Sequence, residues 1–306
     1  MLNADCPQKG WQTGFAPLLI LDLINQVCSV KCFMKLDVWW GYQNVQKKEG
    51  DEWKAAFCTS CRLFKPLVMF FSLTNSPSTF QTMMNEIFQD LDMEGVVCVY
   101  LNDILIYTKF IDEHHCITHL VLAWLHEHKL FLWHDRCEFK CTQIEYLGLV
   151  VAQGSIAMDL VKVTGVTEWP VSKMKKEVQS FFRFASFHYR FIEGFSHHTW
   201  LLFNLTKKDV TWTWGGSQQK AFNKLKDCIA SSPVLWFADD SLQFCVEANS
   251  SDFATGAVLS QQSPEGGKWH PILFYSKLLN DIEWNYEIHK RRCLWSWMCW
   301  RSGIIS

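Results

Sequence analysis

The side chains of this 306-residue sequence that could do chemistry fall into four groups. Cys58-Thr59-Ser60-Cys61 has zinc-knuckle spacing, and Cys137, Cys141 and His134 could complete such a site. No second Cys pair of matching spacing follows, so free thiols are the expectation. Lys173, Lys175 and Lys176 make a local basic patch able to meet phosphate. Trp212 and Trp214 offer faces on which bases could stack, although Trp214 reads more simply as packing in a turn. Taken alone, Asp37 is a strand-end carboxylate and Asn102-Asp103 the tip of a tight hairpin.

Composition limits what these groups can serve. An apolar content of 49% is ample for globular cores. No uninterrupted apolar run reaches the roughly 18 residues of a membrane helix, so a soluble protein without a membrane partner is expected. The apolar patch Leu18 to Leu21 lacks a basic start and a small-residue cleavage site, which implies an intracellular protein, in cytoplasm or nucleus, that is not secreted. In that reducing compartment the 13 cysteines should stay unpaired. A net charge of −2 gives no global attraction to nucleic acid. Sixteen Trp and 13 Cys accompany 22 Lys but only 7 Arg. CG-starting arginine codons become Trp or Cys by C-to-T change, and Gln or His by the same change on the other strand. Our hypothesis is that transition mutation made this composition; codons at the Trp and Cys sites outside that class would refute it.

The elements that must position these groups are legible in part. Residues 33–47 and 53–70 read as extended stretches around the turn Lys47-Lys48-Glu49-Gly50-Asp51, predicting a β-hairpin. Ser76 and Pro77 predict a helix start, and Phe80, Met83, Met84, Ile87, Phe88 and Leu91 carry its apolar stripe. Val96 to Leu101 and Ile104 to Tyr107 predict a hairpin around Asn102-Asp103. Ile117, Leu120, Val121, Trp124 and Leu125 predict a second helix. Helices are expected over Lys175 to Phe191 and Ser217 to Ile229. Strands follow at Leu242 to Glu247, Ala257 to Gln261 and Pro271 to Tyr275, and a helix at Ile282 to Trp297. Strands backed by helices make the fold class α+β.

Five segments carry a resemblance. Lys35-Leu36-Asp37, Trp40-Gly41-Tyr42, Leu73-Thr74-Asn75-Ser76-Pro77-Ser78-Thr79-Phe80-Gln81, Tyr100-Leu101-Asn102-Asp103 and Tyr146-Leu147-Gly148 resemble, in order and spacing, the motifs of gypsy-type retrotransposon reverse transcriptases. Phe181 to Ile192 looks like that family's connecting segment. Glu247 to Gln262 and Asn285 to His289 look like the start of its RNase H domain. The likeness spans about residues 17 to 295. It implies a reverse transcriptase palm over 1–150 with the fingers largely missing, a thumb or connection over 151–235, and a partial RNase H-like α/β domain over 236–306.

The resemblance also implies roles. Family members copy an RNA template from a DNA primer with deoxynucleotides, using Mg²⁺, or Mn²⁺ in its place, held by carboxylates in a two-metal site. Asp37, the Val38 carbonyl and Asp103 become the metal ligands, and Asn102 stands where the family has another aspartate. A neutral amide is a poor ligand for Mg²⁺, so the implied polymerase activity is negligible. Tyr42 matches the aromatic that screens the sugar 2′ position, and Phe71 and Gln81 lie in the motif lining nucleotide and template. Ser72 replaces a Gly, and Arg136 a Lys that can protonate pyrophosphate. Tyr146, Leu147 and Gly148 resemble the primer grip. In the RNase H part Asn249 replaces the first metal-binding Asp and Arg292 the catalytic Glu, a cation where metal ions should sit. Two other classes of function stay open: a catalytically dead binder of RNA or RNA–DNA duplex, and a relic whose product does not fold. Trp39, Trp124 and Trp133 read as exposed and prone to aggregation.

Overall fold

Strand β1 (Cys32–Trp39) buries Phe33, Met34, Leu36 and Val38 and lies at the heart of the first part of this computed structural model. The structure describes residues 30–287 apart from 240, 252, 264, 265 and 281. Its contacts divide the chain into two units, Met1–Tyr146 with Val151–Gly154, and Leu147–Val150 with Ser155–Ser306.

The predicted hairpin between 33–47 and 53–70 does not form. Only the isolated bridge Gln46–Val68 and a short pair, β2 (Phe57–Cys58) with β3 (Leu63–Phe64), remain of it, among 3-10 turns at Gly41–Asn44 and Glu52–Ala55. The reason is that β1 takes its partners from elsewhere. Helix α1 (Ser76–Met93) follows, then β4 (Val97–Tyr100), β5 (Asp103–Thr108), helix α2 (Ile111–Glu127), β6 (Phe131–Leu132) and β7 (Glu138–Cys141). The sheet order is β4-β5-β1-β6, with β7 also on β1. A strand buried on its apolar face gains more from such central pairing than from an exposed local partner.

Helix α1 is the predicted one. Phe80, Met84, Phe88 and Leu91 are buried against Leu36, Val38, Ile104 and Ile106 of the sheet. The N-cap is Asn75 rather than Ser76, whose hydroxyl instead donates to the Phe70 carbonyl at 2.6 Å. In α2, Val121 and Leu125 are buried. Trp124 corrects the surface reading given to it: it packs on the core, its ring 6.0 Å from Phe88.

In the second unit, β10 (Ser155–Met158), after strands β8 (Gln143–Tyr146) and β9 (Leu149–Ala152), pairs with β11 (Leu235–Trp236). Between them run helices α3 (Leu160–Thr167), α4 (Lys175–Ala185), α5 (Phe195–Thr206) and α6 (Gly216–Ala230). The predicted helix to Phe191 ends as α-helix at Ala185 and continues as a 3-10 turn over Ser186–Phe191. Strands β12 (Phe244–Ser250), β13 (Ala254–Gln262) and β14 (Trp269–Leu278) form an antiparallel meander, each longer than its apolar run indicates. The expected helix from Ile282 lies mostly outside the described residues; its described start is a 3-10 turn at Glu283–Asn285. No described helix is long and apolar enough to cross a membrane.

One buried side chain gives this unit a pH dependence. His188 is 2% exposed, with its ring 5.4 Å from Phe184. Burial, with the Lys162 charge adding to it, lowers its pKa from 6.5 to about 4. The unfolded chain then binds a proton that the folded chain refuses, so the contribution is intact above pH 6.5 and is lost as pH falls toward 4. The expected loss is on the order of 3 kcal/mol. Chemical denaturation at pH 7 and pH 4.5 measures it, and His188→Phe should flatten the difference; equal slopes in both chains would refute the assignment.

Candidate active site

The register of β1 against β5 places Asp37 directly opposite Asp103, at the end of a ladder that begins at Cys32–Thr108. Val38 N–H donates to the Asn102 carbonyl at 2.8 Å, which extends the ladder to the hairpin tip. The tip differs by one residue from its expected position. Tyr100 pairs with Asp103, so the two turn residues are Leu101 and Asn102, with Leu101 left-handed at φ 53°. Asp103 therefore belongs to a strand, and pairing with Asp37 is what fixes it there.

Each carboxylate already faces a cation. Asp37 Oδ2 lies 3.5 Å from the Arg136 guanidinium, and Asp103 Oδ1 lies 3.9 Å from Lys35 Nζ. Arg136 is itself held over the Trp133 ring, 4.4 Å from its centroid, while Trp133 N–H donates to the Asp37 carbonyl at 2.9 Å. Burial raises the Asp103 carboxyl above its usual range; Asp37 opposite adds to this, while Lys35 and Arg136 oppose it. Desolvation favours the neutral acid, and a second carboxylate at the same point favours it further.

Asn102 completes the acidic face only in position. Its Oδ1 is buried without a hydrogen-bond partner. A Cβ at Gly41 would come 3.0 Å from that oxygen and overlap the Phe80 ring, so glycine is what lets β1 turn over α1 at this point. Two carboxylates fit the preference of one divalent ion for anionic oxygen. The third position, an amide with its oxygen turned against Gly41, does not extend that set. Among the described residues no group of three or more His, Cys, Asp or Glu side chains converges as a metal site would require. Cys58 and Cys61 are exposed free thiols.

The structure gives Gln81 a position that sequence reading missed. It is buried, its Nε2 donates to Asn85 Oδ1 at 2.7 Å and to the Val99 carbonyl at 3.0 Å, and its Oε1 accepts the Leu101 N–H at 2.6 Å. It pins the left-handed turn from beneath. Gln81→Leu leaves three groups unpaired and should cost about 1–3 kcal/mol. Exchange of the Leu101 amide should accelerate accordingly, and an unchanged exchange rate would show that the turn holds itself.

Tyr146 is likewise internal. It is buried and its hydroxyl donates, at 3.4 Å in each case, toward the carbonyls of Cys98 and Asp103. The ring braces the hairpin that carries Asp103. Leu147 and Gly148 follow with φ of 51° and 77°, the two left-handed residues of a tight turn. The Tyr42 ring is tilted against Phe80, centroids 5.0 Å apart, and burial raises its hydroxyl pKa. Phe71 is 76% exposed. Thus Asp37, Val38, Asn102, Asp103 and Arg136 come together, while Gln81 and Tyr146 stand behind them.

In the second unit Asn249 pairs with Gly256 across β12 and β13 and lines a cavity of about 750 Å³ with Glu247, His197, His198 and Lys224. Burial, then the charges of His197 and Lys224, lowers the His198 pKa. Arg292 lies outside the described residues. Trp214 has the packing role: its Nε1–H donates to Gln219 at 2.8 Å and its ring meets Phe222 edge-on at 5.7 Å.

Comparison with known proteins agrees with this geometry. Residues 2–151 match the reverse transcriptase (RNA-dependent DNA polymerase) family, and residues 214–301 match the RNase H-like domain found in reverse transcriptase. The Transposon Tf2-3 and Tf2-7 polyproteins of Schizosaccharomyces pombe are each 32% identical over 278 residues, 90% of this chain. The chain spans 21% of the length of those relatives. Among solved structures, the foamy viral protease-reverse transcriptase in complex with RNA/DNA hybrid covers 93% of this chain and 38% of its own, at 17% identity and TM-score 0.75. The dRH form in complex with ds DNA covers 97% of this chain and 51% of its own, at 18% identity and TM-score 0.79. The mixed fold is that of reverse transcriptases, and the chain belongs to the retrotransposon reverse transcriptase family, with an RNase H-like domain.

Proposed function

We propose that this chain is the palm-bearing region of an RNA-directed DNA polymerase whose own nucleotide incorporation has been lost. The observation that carries the reading is the Asp37–Asp103 pair with Asn102, not a third acid, at the tip. In the active family members this reading implies, the partners are an RNA template, a DNA primer and deoxynucleotides. Mg²⁺, or Mn²⁺, would supply activation of the primer hydroxyl and neutralisation of the leaving pyrophosphate. In this chain Asp37, Asp103 and the Val38 carbonyl would hold such an ion, weakly, because Arg136 and Lys35 compete for the same carboxylates and the amide adds no charge. No transfer step follows from that donor set.

Tyr42 and Phe71 are the side chains we assign to the nucleotide side, Phe71 by its exposure and Tyr42 by its place beside Gly41. Gln81 and Tyr146 act at one remove, positioning the turn, and Leu147 and Gly148 shape the following one. In the RNase H-like part, Asn249 and Arg292 remove an acid from each of two positions, so ribonuclease activity is absent in this reading too. Primer extension on an RNA template with Mg²⁺ or Mn²⁺ tests the proposal. Incorporation indistinguishable from a no-protein control is expected, from a chain that melts cooperatively; incorporation above that control refutes it.

A further inference from the structure

The stretch from Trp53 to Asn85 contains Lys54, Arg62 and Lys65 and no Asp or Glu. Its β2–β3 hairpin carries two exposed aromatic rings. Phe57 and Phe64 face each other across the pair, their rings stacked at 5.6 Å and 19°. They are 51% and 38% exposed, and the Arg62 guanidinium lies over Phe64, 5.2 Å from the ring centroid. Trp53 and Leu67 are more exposed still. Lys54 is paired with Asp51 at 2.8 Å, whereas Arg62 and Lys65 have no ion-pair partner among the described residues. Two stacked phenyl rings edged by an arginine, in a stretch of chain without acids, are not what a solvated turn requires.

We propose that this hairpin is a second nucleic-acid contact, for an unpaired segment of RNA or DNA. A base stacks on the Phe57–Phe64 pair, and Arg62 and Lys65 meet the adjoining phosphates. Aromatic faces accept any base because every base has a π face, and Arg combines stacking with phosphate pairing. The commitment to a polyanion rests on charge: a second copy of the same basic surface would bring Arg62 and Lys65 against their own kind. The site needs no metal and no carboxylate, so it stands whether or not the polymerase reading does.

The chain's affinity for a short fluorescent oligouridylate, read by anisotropy across a salt series, tests this. EDTA and a reductant keep the exposed Cys58 and Cys61 thiols from bridging by metal or disulfide. Phe57→Ala with Phe64→Ala should weaken binding roughly tenfold without changing the salt slope. Arg62→Gln with Lys65→Gln should reduce the slope by about 1.4, at roughly 0.7 per lost phosphate contact on a single strand. Phe57→Tyr with Phe64→Tyr, which keeps the stacking faces, should retain the affinity and separates lost contact from lost folding. Binding that none of these variants alters overturns the proposal. So does a stable dimer that oligouridylate does not dissociate, because the hairpin would then be a contact between copies. A failure of primer extension bears on neither result.

Discussion

Asn102→Asp should raise RNA-templated incorporation by about 10³-fold over the wild-type chain, equivalent to roughly 4 kcal/mol of transition-state stabilisation. The change replaces a neutral oxygen with an anionic one at the point where Asp37 and Asp103 already meet. It also has a cost that serves as a second readout. Asn102 Oδ1 is buried beside Gly41 and Phe80, and a carboxylate there would join two others in a partly desolvated place. Without divalent ions the variant should therefore melt below wild type, and Mn²⁺ should recover the difference. A variant that folds, binds Mn²⁺ and still fails to incorporate would place the defect elsewhere, with Arg136 and Ser72 the next positions to restore.

Phe80→Ala has the second large effect. Phe80 is fully buried at the point where α1 supports both the Gly41 turn and the hairpin tip, with the Tyr42 ring tilted against it at 5.0 Å. Removing the ring leaves a cavity among Gly41, Tyr42 and the sheet, at a cost of roughly 3–5 kcal/mol. For a unit of this size that lowers the melting temperature by about 10 °C. Because the ring lies beneath Asn102, the variant should also expose the tip amides to faster hydrogen exchange. A shift of only a degree or two would mean that the turn does not rest on this ring.

These two residues also show how far the sequence could be read. Phe80 was legible because its stripe recurs at helical spacing through Leu91, and a long periodic run is a strong signal. Asp37 and Asp103 were legible through motif order. Their pairing partners were not, because β1 takes strands from more than sixty residues away, and local alternation carries no information about such partners. The predicted 33–70 hairpin failed for that reason.

Gln81 and Tyr146 are a different case, because a signal existed. Gln81 falls three and seven residues before Met84 and Phe88, on the buried stripe, and Tyr146 ends a strand whose Ile144 is also buried. Period alone pointed both inward, and their polar groups then required partners, which the hairpin supplies. The helix Phe195–Thr206 offered less. It starts after a left-handed Gly194 without a side-chain cap, and its apolar residues run around the helix instead of along one stripe.

The most direct test of the account is a titration of Mn²⁺ into the purified wild-type chain and Asn102→Asp, with free Mn²⁺ followed by electron paramagnetic resonance. The account predicts at most one weakly held ion in the wild-type chain, strengthened when Arg136→Ala frees Asp37, and a distinctly tighter site in Asn102→Asp. Two tightly bound ions in the unmodified chain would contradict it, because Asp37 and Asp103 would then suffice and Asn102 would be no defect.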